Sequence, residues 1–272
     1  MKFTDASLFD PGDLSIEIIG IPFDDNASFR KGSKDGPDAI RKASFELETF
    51  LWDKKIEITD IDYYDHENIS FKNYGDLFDS LEQFGCEKKI FLGGDHSISL
   101  PALKSVKKQH NDMSVISIDA HTDFRDVYKD NRFSNACVMR RIGELIGFEN
   151  MIEVGIRSSS KDEYDFIKDE IEIYDLNGIR KHGLDFFLDK LDSKKVYLSI
   201  DIDVLDPALS PGVSNPEPDG LSTYELISLV RGIFEKTDVV ACDLVEVTPE
   251  FGYVTAFIGA RIVFEILAGW IG

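Results

Sequence analysis

Eight short runs rich in β-branched residues limit what this chain can fold into: 15–19, 56–61, 89–92, 114–118, 151–156, 171–176, 196–200 and 239–247. Several are nearly continuous apolar stretches, the mark of strands buried on both faces. Segments with helical spacing lie between many of them. Gly36-Pro37 ahead of Asp38-Ala39-Ile40-Arg41 reads as a helix start with proline in the first turn, and 97–108, 134–146, 222–234 and 254–267 read as further helices. Strands alternating with helices predict an α/β protein with a parallel sheet covered on both sides. No linker, repeat or low-complexity tract interrupts the pattern, so residues 1–272 are read as one domain.

Ligands of such folds sit beyond the carboxyl ends of the strands, so the residues that follow each run matter most. Run 89–92 leads into Gly93-Gly94-Asp95-His96-Ser97, run 114–118 into Asp119-Ala120-His121-Thr122-Asp123, and run 196–200 into Asp201-Ile202-Asp203. Glu246 lies near the end of the last run. In an extended segment alternate side chains share a side, so Asp119, His121 and Asp123 are expected to converge, and Asp201 and Asp203 likewise. With His96 these make six carboxylates and imidazoles facing one space, which would repel or desolvate one another without a cation. An oxygen-rich set with some imidazole suits Mn²⁺ or a similar divalent ion. Six ligands exceed the three or four of a catalytic zinc site and suit two ions sharing bridging carboxylates, about 3.5–4 Å apart.

An isolated Asp-Xaa-Asp is ordinarily a turn or cap element, and a lone histidine an ordinary surface or core residue. It is the recurrence of three such clusters, each after an apolar run, that favours metal binding. His66, His110 and His182 have no such setting, and a surface position is expected for them. The Gly93-Gly94 pair permits a tight turn and close approach of backbone at the site. It lacks the fuller pattern of a nucleotide-binding loop.

Composition narrows the partners. Thirty basic residues against fifty-one acidic ones give a formal charge of -21, which disfavours nucleic acid and mildly favours a cationic substrate. Cys86, Cys137 and Cys242 are widely spaced without a CxxC pair, as expected in a reducing cytoplasm. Residues 1–10 do not look like a secretory signal. The apolar tail 254–272 carries Arg261 and Glu265, so a packed helix is expected there rather than a membrane span.

The three motif segments, the third extending as Ser199-Ile200-Asp201-Ile202-Asp203-Val204-Leu205-Asp206-Pro207, resemble the hallmarks of the ureohydrolase family, which includes arginases and agmatinases. The resemblance runs from Gly20-Ile21-Pro22-Phe23-Asp24 and Gly36-Pro37 to the terminal helix. Ala136-Cys137-Val138-Met139-Arg140-Arg141 is closer to agmatinases than to animal-type arginases. It implies a three-layer α/β/α sandwich around a parallel eight-stranded sheet, homo-oligomers (trimers or hexamers), and two Mn²⁺ per chain. By the same resemblance Asp119 and Asp201 bridge the ions, His96 and Asp123 complete one, and His121 and Asp203 the other. Glu246, in Val245-Glu246-Val247, matches the carboxylate that binds the guanidinium. The implied reaction is attack of hydroxide, generated between two cations, on the guanidino carbon, with Asp123 helping to pass on the proton. Agmatine hydrolysis to putrescine and urea, a step of polyamine biosynthesis, is the expected activity. Aminopropyl-agmatine, guanidinobutyrate and arginine are alternatives within the same chemistry. A single-zinc deacetylase of the same broad fold would leave His96, Asp123 and Asp203 without a role, and a catalytically impaired, metal-bound oligomer is a third reading.

Two departures stand out. Asn135 occupies the position where family members often carry a histidine, and it cannot exchange a proton near neutral pH. The loop Pro211-Gly212-Val213-Ser214-Asn215-Pro216-Glu217-Pro218-Asp219-Gly220 ends on Asp-Gly instead of Gly-Gly, where Asp219 is expected to tolerate a left-handed turn. Segment 124–132 is a candidate pocket wall.

Overall fold

A computed structural model describes residues 1–6, 16–192 and 194–272. In chain order the elements are β1 (Ile16–Ile21), α1 (Gly36–Ser44), β2 (Phe50–Leu51), β3 (Ile56–Glu57), β4 (Tyr64–Asn68), α2 (Tyr74–Ser80), β5 (Lys88–Gly93), α3 (Ser99–Lys107) and β6 (Ser114–Ile118). They continue with α4 (Val138–Ile146), β7 (Met151–Val154), α5 (Lys161–Ile167), β8 (Glu172–Tyr174), α6 (Leu176–His182), α7 (Asp185–Leu188), β9 (Lys195–Asp201), α8 (Thr223–Lys236), β10 (Asp238–Val245) and α9 (Val254–Gly269).

Eight strands form one sheet in the order β4-β1-β5-β10-β9-β6-β7-β8, and every pairing in it is parallel. The period-2 alternation of the strands sorts their side chains into two cores. On β9, Val196, Leu198 and Ile200 join the core under α1, α8 and α9. Tyr197 instead faces the core under α2 to α5. The result is the three-layer α/β/α sandwich. Helices α5 and α8 begin with complete capping boxes, Ser160 with Glu163 and Ser222 with Glu225, each cap stabilising its helix start by about 1 kcal/mol.

The edge of the sheet differs from expectation. The apolar run 56–61 supplies only β3, paired antiparallel with β2, followed by a 3₁₀ turn over Ile58–Asp60. Ile58 and Ile61 are both buried, and their spacing of three places them on one side of such a turn. The edge strand is instead the polar β4. Its Asp65 is fully buried and takes two hydrogen bonds from Arg41, Nε and Nη2 both at 2.8 Å. Neutralised in this way, a Tyr-Asp-His-Glu-Asn segment can lie in a sheet. Helix α9 is the packed tail that was expected, its buried Glu265 bonded to Arg231 and Arg261. Among the described residues no helix is long and apolar enough to cross a membrane.

Candidate metal centre and active site

Strand β5 runs into the Gly93-Gly94 turn, where a side chain at Gly94 would put its Cβ 1.8 Å from the carbonyl oxygen of Phe23. That close approach lets Asp95 N–H reach Phe23 O at 2.7 Å and delivers His96, fully buried, at the start of a 3₁₀ turn. Asp119 directly follows β6, and Asp201 is the last residue of β9. The other carboxylates arrive by turns, not by continued extension. Asp123 has left-handed backbone, φ 51°. Asp203 sits in a 3₁₀ turn whose cap is Asp201, Oδ1 accepting Asp203 N–H at 2.8 Å.

All six expected residues are brought together. His96, Asp119 and Asp201 form one group of ligand atoms within 4.8 Å of one another, and Asp119, His121 and Asp203 form a second. Asp119 belongs to both. His96 Nδ1 faces Asp119 Oδ2 at 3.1 Å and Asp123 Oδ2 and Asp201 Oδ2 at 3.3 Å. His121 Nδ1 faces Asp203 Oδ2 at 3.0 Å. Despite these approaches, the buried His96 Nδ1 and Asp119 Oδ2 make no well-formed hydrogen bond, which suits both atoms to ligate a cation.

The electrostatics point the same way. Burial opposes a charged imidazole at His96, yet the carboxylates of Asp119, Asp123 and Asp201 hold its pKa well above the ordinary value. His121 is pushed up to about 12, Asp203 and Asp119 outweighing burial. Burial, reinforced by Asp203 and Asp119, pushes Asp201 well up. Burial likewise raises Asp123 to about 7. Asp119, against burial, is held below the usual carboxylate range by His121 and His96, and the demand for positive charge at the other donors fits divalent cations.

Supporting groups fix the ligands. Ser199, two residues before Asp201 and on the same face of β9, donates to Asp243 Oδ1 at 2.7 Å. Its single hydrogen thus committed, Ser199 Oγ accepts from His96 Nε2 at 2.9 Å, so in the neutral ring the lone pair lies on Nδ1. Arg157, on the loop after β7, donates to the carbonyls of Asp203, Val204, Leu205, Glu217 and Pro218. Ser199 lies in the third motif segment, but no supporting role for it, for Asp243 or for Arg157 was read from the sequence. Ser199 and Asp243 had a signal, polar residues inside apolar strands, but carbonyl acceptors leave no trace in a sequence. Of the remaining histidines only His182 is exposed. His110 is buried against Lys195, and His66 is bonded to Glu17 at 2.9 Å, contrary to the surface positions expected.

Glu246 follows β10 in left-handed backbone, φ 64°, with its N–H bonded to Gly94 O at 2.8 Å. It is 1% exposed, so it is not a surface acid. Its Oε1 accepts His96 N–H at 2.9 Å and Asn135 Nδ2 at 3.0 Å, and Oε2 is buried without a hydrogen-bond partner. Burial raises its pKa. A cleft of about 240 Å³ opens over Asp123 and His121, with Ser28, Arg125, Tyr128 and Asn215 on its walls. Arg125 and Tyr128 come from the expected wall segment. Asp219, φ 66°, adopts the left-handed turn read from the sequence.

A parallel sheet that gathers carboxylates, imidazoles and a buried glutamate at its carboxyl edge defines a metal-dependent hydrolase. The arginase family profile matches residues 14–269, and the chain belongs to that family as a ureohydrolase. It is 34% identical to an agmatinase of Bacillus anthracis over 268 residues, 94% of this chain and 92% of that protein. It is 33% identical to an N(1)-aminopropylagmatine ureohydrolase of Thermococcus kodakarensis, over 94% and 91% of the two chains. The crystal structure of agmatine ureohydrolase of Thermoplasma volcanium superposes with a TM-score of 0.90 at 31% identity, covering 98% of this chain and 93% of that one.

Proposed function

We propose that this ureohydrolase holds two Mn²⁺ ions and hydrolyses agmatine to putrescine and urea. One observation carries the reading: Asp119 is common to two overlapping ligand groups, which suits a pair of ions sharing a bridge better than a single zinc. Asp119 and Asp201 would bridge, with His96 and Asp123 completing one ion's ligands and His121 and Asp203 the other's. When bound, the ions supply the Lewis acidity that makes hydroxide available near neutral pH. Glu246 accepts N–H hydrogen bonds from the planar guanidinium at Oε2 and fixes the position of its carbon. Asp123, at the same cluster, hydrogen-bonds the attacking hydroxide and helps pass its proton on to the departing amine. The products are urea and a protonated amine.

Agmatine is favoured over guanidinobutyrate and arginine, which carry a carboxylate, by an acidic chain that attracts cations, and over aminopropyl-agmatine by the several agmatinases among the relatives. The same reading takes residues 1–272 as one catalytic domain, working in the cytoplasm as a homo-oligomer, trimer or hexamer. Urea release from Mn²⁺-loaded protein given agmatine, aminopropyl-agmatine, guanidinobutyrate or arginine tests the chemistry and the substrate together. Agmatine is expected to turn over fastest. No urea from any of the four, or one tightly bound zinc per chain in the active form, would sink the proposal.

A further inference from the structure

Asn135 is 3% exposed, and its carboxamide is bound at both ends. Its oxygen accepts the backbone N–H groups of Ser28 and Ala136, each at 2.9 Å. Those groups can only donate, so the atom they reach is Oδ1, and Nδ2 is thereby turned towards Glu246 Oε1, 3.0 Å away. His96 N–H occupies the same oxygen from another side. Oε1 is satisfied, and Oε2 is the buried acceptor left over. The Ser214 hydroxyl, close enough to the Glu246 carboxylate to favour its charged form against burial, is paired with Thr248 Oγ1 at 3.0 Å. Ser28 also stands on the cleft wall, where its hydroxyl accepts from Asn215 Nδ2 at 2.9 Å. One amide thus joins Ser28, on the cleft wall, to the buried carboxylate of Glu246.

We infer that Asn135 is the positioning residue for Glu246: it fixes the plane of the carboxylate through Oε1 and leaves Oε2 as the acceptor for a guanidinium. The inference rests on the proposal that Glu246 anchors that group. The residue type is specific to the task. An ionised aspartate has no hydrogen to give Oε1, and a neutral imidazole offers one acceptor nitrogen where two backbone N–H groups need one. The position expected to carry a proton therefore holds a geometric clamp.

The test uses the Mn²⁺-loaded enzyme, with guanidinium ion as a competitive inhibitor and with KM and kcat measured alongside. Asn135→Ala is expected to raise the guanidinium Ki about tenfold, the effect of losing one hydrogen bond to a charged group, and to lower kcat. Manganese content and Tm should stay at parent values. Asn135→Asp should raise the Ki further, because it sets a second negative charge against Oε1. In a Glu246→Ala background, Asn135→Ala should add no further change, as required of a residue that acts through another. A parent-like Ki for both Asn135 variants, or an equal loss from Asn135→Ala with and without Glu246, overturns the clamp while leaving the anchor intact. If Glu246→Ala alone leaves the guanidinium Ki unchanged, the anchor fails and the clamp with it. Loss of manganese from Asn135→Ala, with normal inhibition at the sites still loaded, would make the residue scaffolding and also overturn the inference.

Discussion

The hydroxyl of Ser199 has one hydrogen, and Asp243 takes it, so the oxygen is left to receive His96 Nε2–H. That arrangement selects the imidazole tautomer whose Nδ1 lone pair faces Asp119, Asp123 and Asp201. In Ser199→Ala the ring loses the partner that sets its tautomer and rotation. Manganese affinity is expected to fall about 10- to 100-fold, the usual effect of removing an outer-shell partner of a metal ligand. Mn²⁺ titration followed by electron paramagnetic resonance would measure it, and an unchanged affinity would show that the hydroxyl does not orient His96. The chemistry of this scale is local: every group named is a side chain whose identity dictates whether it donates, accepts or ionises.

The turns after β7 and β9 and the loop 211–220 come together at Arg157. Its guanidinium donates to carbonyls on both the Asp203 turn and the Glu217–Pro218 segment, with distances from 2.7 to 3.4 Å. A rigid planar fork can span these acceptors, whereas an ammonium concentrates its donors at one point. Arg157→Lys is therefore expected to behave as a loss. It should destabilise the fold by about 1.5–3 kcal/mol and weaken the ion proposed at His121 and Asp203 more than the one proposed at His96 and Asp123. Denaturant unfolding and a two-site metal titration separate these effects, and equal weakening of both ions would argue against a role specific to the Asp203 turn. The same scale explains the glycine pair. Gly94→Ala would drive a Cβ into the Phe23 carbonyl, and displacement of the segment at Phe23 should disturb His96.

Across the whole molecule, buried carboxylates at one sheet edge repel each other in a chain of formal charge -21. Cation binding relieves that repulsion and is linked to folding. Chelation should therefore lower Tm, and Mn²⁺ should restore it. At a free concentration a hundred times Kd, one such ion stabilises by about 2.7 kcal/mol, equivalent to several degrees for a domain of this size. Differential scanning calorimetry of chelated and reloaded protein reads the shift directly. Identical Tm values would mean that the carboxylate cluster is not a cation site.

The nature of the site was legible from one dimension because its parts are. Apolar runs announce β5, β6, β9 and β10, and the polar residues directly after them, His96, Asp119, Asp201 and Glu246 among them, announce an edge with chemistry. Left-handed Asp219 was legible for the same reason, a local preference of a small polar side chain. Tertiary structure decided the rest. The order β5-β10-β9-β6 sets four distant loops side by side, and no local propensity contains that order. Polar β4 is a strand because Arg41 neutralises Asp65 from another element. Asp123 reaches the site through a left-handed kink, where the sequence suggested simple alternation. Asn135 read as a missing proton carrier, but its contacts with Ser28 and Glu246 exist only once three separate loops meet. A residue's chemical capacity is carried by its own side chain; which groups it is held against is set by packing between segments far apart in the chain.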